Sequence, residues 1–407
     1  MDVIHDRCAG LDVHKDEVVA CARVASGRKV VRTSARCPTT TRGLTSLSEW
    51  LSTHQCEIVS LEATGVYWKP VWHVLEATFP LVLANPGHVR ASPGRKSDMN
   101  DAAWLADLVA HGLIRGSFVP PAPIQELRDL TRTRKQLVRQ MAQHSLRLQK
   151  TLEDANLKIA SFVSDLLGVS GRAILQGLID GETNADRLLA RTTGLLRADP
   201  EQLRAALEGR VREHHRFLLR LHLTQIEGIE DGLRTVDARL DILLRPFTPV
   251  VERLSTIPGV GTLVAQTVIA EIGVDVHRFP TPGHLRSWVG LCPRLDESAG
   301  KRRSTRLRHG APWLKTVLIQ AAWAAVRRRD AYPHAQFQRL KAKRGPKKAI
   351  VAVAASLLTA VYFMLRDDVP YRDLGVHYFD RHDTTRAAAR LTKRLEALGF
   401  KVALSAA

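Results

Sequence analysis

The sequence predicts an α/β domain followed by a mostly helical remainder. Three observations predict it. Short apolar runs alternate with helical patterns through the first 111 residues. Two long stretches, 125–156 and 211–244, carry apolar residues at near-heptad spacing. Beyond them lie an apolar helix ending at Ile272 and an uncharged run from Ala349 to Leu365. With 407 residues, the chain has room for two or three domains.

Taken in order, Cys8–Val13, Val18–Val24 and Lys29–Ser34 read as strands, with Ser26-Gly27 as a turn signal. Leu44, Leu47 and Leu51 share one face of a helix over 41–53. Ile58–Leu61 is a fourth strand, ending in Glu62-Ala63-Thr64-Gly65. A helix over Trp68–Glu76 follows, then a fifth strand, Leu81–Leu83, closed by Asn85-Pro86-Gly87. A helix from Asp98 to His111 completes the unit. Three strands, then alternating helices and strands, describe a mixed sheet covered by helices, the order of the ribonuclease H-like fold.

Pro120-Pro121-Ala122-Pro123 reads as a linker. The first long helix carries Leu127, Leu130, Leu137, Met141 and Leu148, interrupted by Arg134 and His144. The second carries Phe217, Leu221, Ile229, Leu233, Val236, Leu240 and Leu243. Shorter helices are expected over 157–210. This is a stalk with a helical insert, able to form a homo-oligomer, dimer or tetramer, or to pack on its own domain. Arg245-Pro246-Phe247-Thr248-Pro249 ends it. The expected domains are 1–120, 121–246 and 247–372, with a C-terminal tail over 373–407.

Composition bounds the function. A 45% hydrophobic fraction excludes a disordered chain. The net charge is +19 and the pI about 10.2, pointing to a polyanion, most simply nucleic acid. Residues 301–350 hold fifteen Lys or Arg and one acid, Asp330, and so carry +14 of the +19. The five cysteines, at 8, 21, 37, 56 and 292, lack metal-ligand spacing. They suit a reducing cytoplasm without a disulfide framework. Met1-Asp2-Val3-Ile4-His5-Asp6 does not read as a signal peptide. The seventeen uncharged residues from Ala349 are at the short limit for a membrane span and read as a buried core helix.

Chemistry centres on Lys96-Ser97-Asp98-Met99-Asn100-Asp101-Ala102. Asp98 and Asp101 share a face at a helix start. They are either surface acids favoured by the helix dipole or half of a metal site. Asp12 on the first strand could simply end it, and Glu62 at the end of the fourth could be a surface acid, but in the ribonuclease H-like fold these places converge with Asp98 and Asp101 at one sheet edge. Four carboxylates would then surround magnesium or manganese ions. Gly259 and Gly261, in Ile257-Pro258-Gly259-Val260-Gly261, free backbone N–H groups at a helix start. That is a phosphate cradle of the helix-hairpin-helix kind, or an ordinary tight turn. Ser298 lies in a Gly-containing loop beside Lys301, Arg302 and Arg303, with Arg306 and Arg308 beyond. Together with Lys347 and Lys348 these bases suit phosphate contacts. Chemistry alone makes Ser298 a phosphate-contacting loop serine.

Gly10-Leu11-Asp12-Val13-His14-Lys15, Glu62-Ala63-Thr64-Gly65-Val66-Tyr67-Trp68 and Lys96-Ser97-Asp98 with Asp101-Ala102 resemble three motifs of the DEDD-type transposases of the "IS one-ten" family. Leu167-Gly168-Val169-Ser170-Gly171-Arg172, His214-His215, the 257–261 hairpin, the Ser298 loop and Arg344-Gly345-Pro346-Lys347-Lys348-Ala349 extend the likeness over nearly the whole chain. The resemblance implies a RuvC-like domain, a helical stalk and a second transposase domain. It implies a serine that attacks DNA with the help of metal-bound carboxylates. It also implies a structured non-coding bridge RNA that pairs with donor and target DNA. Ser298 matches the family's serine, although Ala299 stands where the family has Gly, and Ser304 is the other serine of the loop. A junction-type metal nuclease and a non-catalytic nucleic-acid scaffold are the competing readings. A sugar-kinase-like ATPase would need a second Gly-rich phosphate loop. No membrane partner is expected.

Overall fold

The computed structural model describes residues 3–27, 29–62, 65–85, 98–163, 165–192, 199–293, 296–298, 301–304, 306–308 and 310–404. Ala63, Thr64, Pro86, Gly87, Lys96, Ser97, Ala299 and Gly300 lie outside the described residues, as do the side chains of Asp98, Ser298, Arg302 and Arg303. The chain divides into two compact units, 1–119 and 120–407.

The first unit is a five-stranded mixed sheet with helices on both faces. Its strands are β1 (Arg7–Val13), β2 (Glu17–Ser26), β3 (Lys29–Pro38), β4 (Ile58–Glu62) and β5 (Leu81–Ala84), in the order β3-β2-β1-β4-β5. β1, β2 and β3 pair antiparallel. β4 joins β1 in parallel, and β5 joins β4 in parallel. All five expected strands are present, extended by a few residues at their ends.

Side chains alternate across a strand, so β1 serves two layers. Ala9, Leu11 and Val13 face one way. They share a core with Leu44, Leu47 and Leu51 of α1 (Thr41–Thr53) and with Val71 and Leu75 of α2 (Trp68–Leu75). Cys8, Gly10 and Asp12 face the other way, toward α3 (Asp98–Ala110). Cys8 Sγ donates to Ala106 O at 3.3 Å, and Ser60 Oγ on β4 donates to Leu105 O at 3.2 Å. A β-carbon on Gly10 would lie 2.1 Å from Ala102 O and 2.5 Å from Ala106 N. The helix backbone therefore rests on the strand where a side chain is missing. Asp107 holds the far end of α3. It accepts from Arg23 Nε at 3.1 Å and from Arg32 Nη2 at 2.9 Å.

Among the described residues, the regular elements of the second unit are helices and one two-stranded ribbon. Its long helices are α4 (Ala122–Asp154) and α8 (Glu213–Leu244). The proline run expected as a linker instead enters α4. Pro121 is its N-cap residue and Pro123 sits in the first turn, where a missing N–H costs nothing. Arg134 pairs with Asp237, His144 faces His222, and Asp154 meets His215, so α4 and α8 run antiparallel. Of the expected stripe, Leu127, Leu148 and Leu240 are buried, but Phe217 and Leu221 are exposed. A heptad count marks one face, and the partner's angle decides which residues of that face it covers.

Between the two long helices lie α5 (Val169–Ile179), α6 (Ala185–Ala190) and α7 (Pro200–Leu207). Ile174, Leu175, Leu188, Leu203 and Leu207 close over Leu148 and Leu152 of α4 and Leu219 and Leu223 of α8. Helices α9 (Thr248–Ser255), α10 (Thr262–Ile272) and α11 (Pro282–Val289) come next. The ribbon β6 (Asp296–Ser298) and β7 (Lys301–Ser304) leads to α12 (Pro312–Ala325), α13 (Tyr332–Arg344) and α14 (Pro346–Arg366). The expected tail carries α15 (Tyr378–His382) and α16 (Thr384–Ala397). α14 contains the uncharged run, and among the described residues it is the one helix long and apolar enough to cross a membrane. It buries Ile350, Val353, Leu357, Leu358, Val361 and Tyr362, and Tyr362 Oη donates to Phe279 O at 2.8 Å.

Two outcomes test these contacts. Gly10→Ala should destabilise the protein by about 1–3 kcal/mol, the scale of overpacking against backbone, read by chemical unfolding. His222 has its pKa lowered from the ordinary 6.5, first by burial and then by the charges of His144 and Arg147. The fold favours the neutral ring, so its contribution is complete above 6.5 and is lost as the pH falls through the folded value. The thermal midpoint should fall as the pH is lowered through 6.5 and below, and His222→Gln should flatten that fall.

Candidate carboxylate site

Asp12 and Glu62 end two neighbouring parallel strands. The β1–β4 register pairs Gly10 with Ser60 and Leu11 with Leu61. Asp12 and Glu62 are the next residues on these two adjacent strands. Alternation puts Asp12 on the face of Cys8 and Gly10, and Glu62 on the face of Ser60. That is the face covered by α3. Cys8 lies against Ala106, and Gly10 against Ala102 and Ala106. The strand thus climbs toward the N-terminus of α3, where Asp98 and Asp101 begin the helix.

The helix repeats this logic. Ala102, Leu105, Ala106 and Val109 are its buried stripe. Asp101 is four residues before Leu105, so it continues the sheet-facing stripe by one turn, and Asp98 opens the helix three residues earlier. Asp101 is half-buried and Asp12 is 8% exposed. His14 Nε2 stands 3.2 Å from Asp12 Oδ2. Glu62 is half-buried at the strand end. A helix N-terminus carries partial positive charge, which favours acids gathered there.

The donors are all carboxylate oxygens, the chemistry that hard divalent cations take. Among the described residues, no three acids or histidines are gathered closely enough to hold a metal ion. The Asp98 side chain lies outside the described residues. The backbone puts Asp12 and Glu62 at the ends of adjacent parallel strands and starts α3 at Asp98 and Asp101, with no closed ligand cage among the described side chains.

The candidate positions of the second unit are more dispersed. Ser298 ends β6 and pairs across the ribbon with Lys301. Ser304 pairs with Asp296, and its Oγ accepts from Arg306 N at 3.2 Å, a local turn bond. Lys301, Arg306 and Arg308 are exposed. Arg308 Nη1 donates to Ser287 Oγ at 3.2 Å. Lys347 and Lys348 are exposed in the first turn of α14.

The two glycines expected to act together part ways. Gly259 has φ +79°, and a β-carbon there would lie 2.2 Å from Ala321 O of α12. It makes a close helix approach. Gly261 is the N-cap residue of α10, exposed and open on its Cα side. The motif reading missed a cluster of cations at Trp313, which lies outside every motif. Arg132, Lys135 and Arg139 stand 5.7, 5.7 and 5.3 Å from its ring centroid. Helical spacing among the three cations was the available signal, and Trp313 is 174 positions away from the nearest of them in sequence order.

Residues 9–157 match the family model of the DEDD-type IS110 transposases, and residues 251–338 match the model described as "Transposase IS116/IS110/IS902 family". The chain belongs to the IS110 family of transposases. This transposase is 24% identical over 298 residues to the transposase for insertion sequence element IS1111A of Coxiella burnetii, covering 72% of this chain and 73% of that protein. It is 27% identical over 152 residues to the insertion element IS110 uncharacterized 43.6 kDa protein of Streptomyces coelicolor, covering 36% of each. Family membership makes it a DNA transposase, and a DEDD-type domain points to divalent-metal dependence in general.

If the carboxylates act together, Asp12→Asn and Asp101→Asn should each reduce DNA strand cleavage at least about a hundredfold, the scale of losing one preorganised electrostatic group. The same variants should keep the wild-type melting transition and nucleic-acid affinity. Cleavage in both variants at the wild-type rate would remove these acids from the chemistry.

Proposed function

We propose that this transposase cuts and rejoins DNA with a four-carboxylate site in its first unit and a serine nucleophile in its second. The parallel register that pairs Leu11 with Leu61, one residue before Asp12 and Glu62, supports the reading, together with the start of α3 at Asp98 and Asp101. In this reading the first unit is a RuvC-like nuclease domain over 1–120. Residues 121–246 are the helical stalk, 247–372 the second transposase domain, and 373–407 its tail.

Asp12, Glu62, Asp98 and Asp101 would hold magnesium or manganese. Such an ion polarises a phosphodiester and stabilises a leaving oxygen. The protein's own residues do the rest. Exposed Lys301, Arg306, Arg308, Lys347 and Lys348 bind phosphates, and Arg302 and Arg303 belong to the same basic sequence. Ser298 loses its hydroxyl proton to solvent and its oxygen bonds to phosphorus. The strand's own ester bond breaks, and the departing oxygen takes up a proton. The ester to serine conserves the bond, so a second strand's hydroxyl can displace the serine and reseal the DNA. Gly261, open at the start of α10, offers backbone N–H groups to a phosphate.

A structured non-coding RNA that pairs with donor and target DNA would select the sequence. The concentration of charge in 301–350 supports a large polyanionic partner. The apolar residues left exposed on the long helices, Phe217 and Leu221 among them, support a homo-oligomer.

The deciding experiment is a denaturing gel of labelled DNA after a trapped reaction, with peptide mapping of any adduct. A phosphoester on Ser298 is expected, and Ser298→Ala should form no adduct while binding nucleic acid normally. An adduct on Ser304 would move the role to that residue. Cut DNA with free ends and no adduct would overturn the serine mechanism in favour of hydrolysis by a junction-type nuclease.

A further inference from the structure

We propose that a basic, aromatic cleft in the second unit holds one unstacked nucleotide of a single-stranded nucleic acid. The proposal rests on the reading that the protein works on nucleic acid. The cleft has a volume of about 400 Å³ and lies among α4, α10 and α12. That is within the size range of small-molecule sites.

Its lining divides into two kinds of surface. Val138, Leu263 and the half-buried Trp313 make an apolar wall, and the first two are 37% and 51% exposed. Arg132, Lys135 and Arg139 come from one face of α4, and all three stand within 6 Å of the Trp313 ring centroid. The acid in the cleft, Glu271, is fully buried and already held by Arg132, with bonds of 2.8 and 2.9 Å to its two oxygens. Among the described residues, Lys135 Nζ is buried without a hydrogen-bond partner. Burial, and then the charge of Arg139, lower its pKa.

A buried ammonium without an acceptor is costly. A phosphate oxygen would give Lys135 its acceptor and offset the repulsion from Arg139. The apolar wall asks for something a bare phosphate lacks, a flat apolar face. A nucleotide presents both, with its base against Trp313 and its phosphate toward Lys135 and Arg139. A duplex presents phosphates but keeps its bases stacked inside. The cleft therefore discriminates strand state rather than sequence, since every base has a π face.

The test measures fluorescence anisotropy of the full-length protein with a labelled oligothymidylate of about twenty nucleotides and with a duplex of the same length. Trp313→Leu should weaken oligothymidylate binding about tenfold, the scale of one base–aromatic stack, and leave duplex binding within about twofold. Trp313→Phe should keep most of the affinity. Lys135→Gln should weaken oligothymidylate binding and lower its salt slope by about one, the count of one phosphate contact. If Trp313→Leu does not fold, the Phe and Gln variants carry the same comparison. Equal losses on both probes, or none on oligothymidylate, would overturn the proposal while leaving the protein a nucleic-acid binder. A wild-type chain that binds neither probe would overturn the parent reading as well.

Discussion

The carboxylate edge depends on the absence of one side chain. α3 can lie on the sheet only because residue 10 is glycine, with the carbonyl of Ala102 and the amide of Ala106 where a β-carbon would be. This approach sets the height of the helix above β1. Cys8, Ser60, Arg23 and Arg32 set its direction through bonds to the backbone of Ala106 and Leu105 and to the carboxylate of Asp107. With both height and direction determined, β1 passes from Ala106 at Cys8 to Ala102 at Gly10, running toward the N-terminal end of α3 as it approaches Asp12. The acids need not stabilise the fold for this to hold. Packing elsewhere on the same helix does it, and like-charged groups can be kept near one another at that expense.

The second unit uses charge inside its core. Glu271 on α10 is fully buried, with Arg132 of α4 bonded to both oxygens and Arg128 at its side. A buried ion pair adds little net stability, but removing one partner leaves an uncompensated charge. Its effect is to align α4 with α10, since a two-pronged bond tolerates little sliding. The next turns of the same face present Lys135, which feels the charge of Glu271 without a hydrogen bond to it among the described residues, and the exposed Arg139. One stretch of α4 thus changes from an internal tie to a cationic wall within two turns.

Much of the α/β unit was legible in order. Alternating apolar runs and three-and-four spacing mark strands and helices through local geometry, which is why the strand at 58–62 and the helices at 41–53 and 98–110 fall where the pattern puts them. Helix ends and faces were less legible. The proline run at 120–123 reads as a linker because proline breaks helices, yet it enters α4, since proline is disfavoured in helix interiors and tolerated in first turns. Phe217 and Leu221 fit a near-heptad stripe, which spacing alone reads either as a seam between chains or as packing on the chain's own domain, and within one chain both are exposed.

By itself, the sequence determined the element order, the basic surface, the four acids and their separation along the chain. Those properties are local, written in residue type and spacing. The tertiary structure decided which acids share a sheet face, through a strand register that no spacing encodes. It decided that Gly259 serves the approach of α12 while Gly261 stays open at a helix start. It also brought Trp313 to three cations from a helix far earlier in the chain. Such juxtapositions arise from packing between distant segments, and sequence pattern carries periodicity within a segment but not the distance between two of them.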